Sequence, residues 1–148
     1  MKPDAPKLLE IIAGKLLFEI APSVQPSYRQ SSVALTGMLL TMVKEEWERA
    51  VARRVEENEI LRALFGRAAG QVGDAGLRGR LEAAAREKEA SLLVSRLDAS
   101  NDSLRALLID LHAHVETHDA PWARALDDEI WRELRASTER RRFSLSPF

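Results

Sequence analysis

All three histidines of this 148-residue chain fall in one stretch, Asp110-Leu111-His112-Ala113-His114-Val115-Glu116-Thr117-His118-Asp119. Wound as a helix, Asp110, His114 and His118 stand four residues apart and form a single row. Two imidazoles one turn apart can share one metal ion, so Asp110, His114 and His118 are the candidate metal ligands and a divalent metal is the candidate cofactor. The rest of such a site is missing from the pattern. Helical di-iron proteins pair Glu-x-x-His signatures, whereas Glu116 here is followed three residues on by Asp119. Histidines placed close to a helix C-terminus are also stabilised by the dipole with no metal at all.

Other chemistries find less support. The chain has no cysteine, which removes thiol nucleophiles, disulfides and cysteine metal sites. Its serines lie outside any Gly-x-Ser-x-Gly elbow. The acid pairs Glu45-Glu46 and Asp127-Asp128 sit in charge-rich helical stretches, where solvated faces explain them. The glycines from Gly70 to Gly79 fall three apart, unlike a phosphate loop or a dinucleotide fingerprint, and no strand precedes them. No catalytic residue is therefore assigned. A formal net charge of −1 gives no field for nucleic acid or an anionic membrane. Arg140-Arg141-Arg142 is too short a run for the several phosphate contacts that nucleic-acid binding uses, and it suits a helix C-terminus.

The elements that must position these residues read as helices throughout. Ala, Leu, Glu and Arg dominate, and no alternating run between hairpin turns is found. Leu8, Ile12, Leu16 and Ile20 predict a first helix over residues 6–21, with Asp4 or Ala5 before it. Pro22 and Pro26 break it, and Ser27 starts a second helical pattern reaching about Ala69. Within that pattern Val33 to Val43 is apolar on every side, too short to span a bilayer, and is expected to be the buried centre of the fold. From Lys44 onward charge takes over and only a stripe of Trp47, Val51 and Val55 continues, so either one long helix projects past the core or it kinks near residues 56–58; the second is the expectation. Residues 66–76 read as the main loop. A helix over about 76–98, a turn at 98–101, a helix over about 102–117 and a last helix from Pro121, capped by Asp119, complete a single-domain (1–148) all-α antiparallel bundle of five to six helices.

Trp47, Val51, Arg54 and Trp131 lie at the margins of their stripes and are the candidate interface residues, because Trp and Arg are enriched at interface hot spots. A stripe that outruns its core calls for a homodimer or another protein partner. A small-ligand sensor, with room beside Ala34 and Gly37 between the first two helices, is the third functional class.

The segment 32–46, Ser-Val-Ala-Leu-Thr-Gly-Met-Leu-Leu-Thr-Met-Val-Lys-Glu-Glu, resembles the central helix of a family of small, uncharacterised bacterial all-helical proteins. The closing stretch from Leu134-Arg135-Ala136-Ser137 through Ser146-Pro147 resembles that family's last helix and tail, with Ser-Pro in place of its usual Asn-Pro. Genes of that family lie near acyl-CoA-dehydrogenase-like and aminoglycoside-phosphotransferase-like genes. The resemblance implies an accessory protein and carries no catalytic residue with it; a cytoplasmic location is expected from the absence of cysteine and from an N-terminus, Met1 to Pro6, that does not begin like a signal peptide.

Overall fold

The computed structural model describes residue 2 and residues 4–144. The Ser146-Pro147 tail lies outside the described residues. Among those described, all regular structure is helical. Helix α1 is Ala5–Gly14, capped by Asp4, whose Oδ1 accepts from the Lys7 amide at 3.3 Å. The turns then loosen into a π-helical stretch, Lys15–Ile20, and a short 3-10 turn, Ala21–Ser23. Helix α2 is Ser27–Ala69, α3 Ala75–Arg86, α4 Val94–Glu116 and α5 Pro121–Arg140.

The contacts divide the chain within α2, after Ala50. One unit comprises the described residues up to Ala50 with 143–144; the other is Val51–Arg142. The second unit holds the hydrophobic core. Leu61, Leu64 and Phe65 of α2, Leu77 and Leu81 of α3, Leu104, Leu108, Leu111 and Val115 of α4, and Ala123, Leu126 and Ile130 of α5 are all buried. These are the core-face positions that helical spacing assigns to α4 and α5.

The first unit has no comparable core. Among its described residues, the only buried hydrophobic side chains are those of Ala13, Ala21 and Ala50. The expectation that Val33 to Val43 is covered on every side is therefore corrected: Leu35 is 55%, Leu39 51% and Val43 49% exposed. One side alone is covered. A Cβ added at Gly37 would stand 2.7 Å from Leu17 Cγ and 3.2 Å from the Ala13 carbonyl, so the missing side chain lets α1 and its π-helical extension lie close against α2. The room foreseen beside Gly37 for a small ligand is thus occupied by Leu17. At 100° per residue, Leu35 and Leu39 point roughly away from that contact. Thr36 and Thr41 return their hydroxyls to the carbonyls of Ser32 and Gly37.

Helix boundaries differ from expectation in four places. Helix α2 is unbroken through residues 56–58. The turn expected at 98–101 lies inside α4, and the chain leaves helical structure at 87–93 instead. Asp119 caps nothing. It pairs with Arg124 at 3.2 Å, and the α5 N-cap is Ala120, with no side-chain cap. The main loop narrows to residues 70–74, because Gly66 is helical and Gly76 and Gly79 lie in α3.

Candidate functional site

The most elaborate polar constellation lies in the second unit and is built on Glu57, Asn58, Asn101 and Ser137, each at least nine-tenths buried. Glu57, on α2, accepts from Arg141 Nε at 2.9 Å and Nη2 at 2.6 Å, from Arg105 Nη2 at 3.4 Å and from Ser137 Oγ at 3.4 Å. Asn101 Nδ2 donates to Asn58 Oδ1 at 2.8 Å, and Asn101 Oδ1 accepts from Arg105 Nε at 2.8 Å. Arg105 also donates to Ser137 Oγ at 2.7 Å. Three helices, α2, α4 and α5, are joined by it. Burial pushes the Glu57 carboxyl up, but the Arg141 hydrogen bonds and the charges of Arg141 and Arg105 outweigh it and hold the carboxyl below its ordinary range. Nearby Glu133, paired with Arg140, shifts the opposite way: burial dominates and its carboxyl is held high.

A second polar cluster adjoins the first through Asn58. Glu89, from the non-helical segment 87–93, accepts from Arg62 Nη1 at 2.6 Å, Asn58 Nδ2 at 2.8 Å and Ser100 Oγ at 3.3 Å. Burial raises the Glu89 carboxyl, yet the bonds from Arg62 and Asn58 bring it below its usual range. Arg54 is committed to Asp98 at 2.5 Å. These contacts explain the misplaced turn. Asp98, Ser100 and Asn101 have the residue types of a helix cap, but their side chains serve tertiary partners while the backbone continues in α4.

The histidine row is arranged otherwise than a metal site would need. Asp110 Oδ2 accepts from Arg80 Nη1 at 2.6 Å. His114 and His118 lie with ring centroids 4.5 Å apart and planes tilted by 46°, and Trp122 closes the cluster 5.2 Å from His118. His118 Nδ1 lies 2.9 Å from the His114 carbonyl. Among the described residues, no group of three or more His, Cys, Asp or Glu could hold a metal ion. His112, absent from the expected ligand set, is tied to Asp127 at 2.8 Å and meets Trp131 edge-on at 5.5 Å.

Of the candidate interface residues, Trp47 is 63% and Trp131 48% exposed. Val51 is half-buried, and Arg54 is turned inward by Asp98. Trp47 belongs to a larger set that the stripe analysis missed. Eleven of the sixteen exposed large apolar residues lie at or before Trp47, among them Phe18, Tyr28 and the row Leu35, Leu39, Val43, Trp47. The signal was present in the sequence as an apolar helix, and burial inside the chain was the wrong inference from it. The first unit is also fastened near its end, where the Ser144 amide donates to both Glu45 oxygens at 3.1 and 3.0 Å.

No helix among the described residues is long and apolar enough to cross a membrane. Searches with this chain match no protein-family model, no curated protein and no solved structure.

Proposed function

We propose that this protein is a non-catalytic helical interaction protein that assembles with a second copy of itself through α1 and the first half of α2. The observation that carries the reading is a unit with eleven exposed large apolar residues and only alanines fully buried. Apolar side chains left exposed in this number mark an interaction surface more often than a face open to water. If each of these side chains leaves on the order of 60–100 Å² exposed, the eleven offer roughly 660–1,100 Å². That is close to the ~800 Å² per partner of a specific interface. Charge favours a like partner over an anionic bilayer. Between Ala5 and Ala50 the cations Lys7, Lys15, Arg29, Lys44 and Arg49 are matched by Glu10, Glu19, Glu45, Glu46 and Glu48. A neutral surface carrying both signs suits a two-fold contact, in which each charge can meet its opposite on the other copy.

Sedimentation velocity on the wild type and on Leu39→Glu tests this. A dimer at micromolar concentration that becomes a monomer in Leu39→Glu, with circular dichroism preserved, supports the reading. A wild type that is monomeric at about 100 μM overturns it, and vesicle binding by that monomer would assign the same surface to lipid instead.

A further inference from the structure

A separate feature of the second unit points to a ligand. A cleft of about 910 Å³ opens between the end of α3, the segment 87–93 and the first half of α4. Small-molecule sites span about 300–1,000 Å³. The floor is apolar, formed in part by Ala84, Leu104 and Leu107. The rim is cationic, with Arg86, Lys88 and Arg96 exposed along it. Neither Lys88 nor Arg96 makes an ion pair among the described residues, and Arg86 meets only the exposed Glu82 at 3.2 Å. Glu87 and Glu89 are the acids of the lining. Glu89 is already neutralised by Arg62, and Arg86, Lys88 and Arg96 outnumber the remaining acid, Glu87, so the net charge of the lining is positive.

Two further observations fix the chemistry. The inner wall already recognises a carboxylate, that of Glu89, with a guanidinium, an amide and a hydroxyl. Arg62 is 7% exposed, and its Nε has no hydrogen-bond partner among the described residues, so one buried donor at this wall is unused.

The geometry points to a binding site for a small organic anion with an apolar body, its carboxylate or phosphate head among Arg86, Lys88 and Arg96 and its tail over Ala84, Leu104 and Leu107. This inference is independent of the self-association proposed above. The test is a titration of the full chain with octanoate, octyl phosphate, octanol and inorganic phosphate, read by ¹H–¹⁵N NMR. Saturable shifts in the amides of residues 86–107 with octanoate or octyl phosphate, at least tenfold weaker with octanol and with phosphate alone, are expected; the stronger of the two amphiphiles identifies the head group. The double variant Lys88→Ala, Arg96→Ala, exposed at both positions, should weaken that binding at least tenfold with an unchanged circular dichroism spectrum. Octanol binding as tightly as the anions, shifts confined to residues 27–47, or full affinity in the double variant would each overturn the assignment.

Discussion

Replacing Glu57 by Gln keeps the shape of a fully buried side chain and removes its charge, so it isolates what the ionic network contributes. In the native protein the carboxylate accepts from two guanidinium groups, Arg141 at 2.6 and 2.9 Å and Arg105 at 3.4 Å. A hydrogen bond to a charged partner is worth about 1.5–3 kcal/mol. Arg141 is 48% exposed and can return to water, so its share is discounted to at most about 1 kcal/mol. Arg105 is less exposed, at 31%, and is held in place by Asn101 and Ser137, so the amide of the variant would face its donors at short range. The sum is a loss of about 2 kcal/mol at neutral pH, below the roughly 3–5 kcal/mol seen when one partner of a wholly buried pair is removed. With a urea slope of about 1–3 kcal/mol/M, the unfolding midpoint should fall by about 1 M at an unchanged slope.

The pH dependence supplies a second reading of the same substitution. The Glu57 carboxyl is held below its ordinary value of 4.5 in the folded chain. Its stabilisation is therefore complete above pH 4.5 and is lost as pH falls through the lowered folded value. The gap between wild type and Glu57→Gln should close in that acid window. A variant within about 0.5 kcal/mol of wild type at pH 7, the spread of ordinary surface substitutions, would refute the reasoning. So would a gap that persists undiminished at pH 3.

Three further outcomes are expected. Glu133→Gln should be neutral or stabilising at pH 7: burial holds that carboxyl above 4.5 in the fold, so its contribution is fully present below pH 4.5 and lost as pH rises through the raised value; urea midpoints at pH 4 and pH 7 check the sign. Gly37→Val should separate α1 from α2, since the new Cβ would stand 2.7 Å from Leu17 and overpacking costs about 1–3 kcal/mol; hydrogen exchange over residues 5–20 should accelerate while that over 104–115 does not. Leu111→Ala, at a site with no exposed surface, should cost about 2–5 kcal/mol, whereas Leu39→Ala should cost much less monomer stability, measured by thermal unfolding at a concentration where the chain is monomeric.

The second unit was the more legible half. Leu104, Leu108, Leu111 and Val115 recur at helical spacing and are buried, as are Ala123, Leu126 and Ile130. What periodicity did not reveal is the polar seam between those helices. Glu57 and Asn58 read as part of a charged stretch that should break, and Glu87-Lys88-Glu89-Ala90 as helix. Propensity alone gives both readings. The structure reverses them because two carboxylates, Glu57 and Glu89, and the Asn58 amide, 27–48 residues from their partners, are satisfied there by Arg105, Arg62 and Asn101. Such pairings have no local signature, so a Glu that will be buried beside an arginine looks like any solvated Glu. The histidine row was legible as a row, but its contacts with Arg80 and Trp122 come from other helices or beyond the turn.

Val33 to Val43 shows a different limit, one of ownership. An apolar helix states that its surface must leave water and says nothing about which chain provides the cover. Within this chain α1 can shield only one side, because it is a single helix of ten residues with a π-helical extension, pressed close by Gly37. The side that carries Leu35 and Leu39 is left over, while the contact with α1 rests on small residues and on side chains such as Leu17 that are only part-buried. Burying a half-exposed Leu on a partner returns about 1 kcal/mol. The same arithmetic explains why Leu39→Glu is the sharper probe than Trp47→Ala. A charge placed at the centre of an apolar contact must be desolvated in both copies of a symmetric pair, while loss of an indole at its end removes area alone. If Leu39→Glu leaves the sedimentation of a wild-type dimer unchanged, the two copies meet elsewhere, and the apolar face of α2 belongs to some other partner.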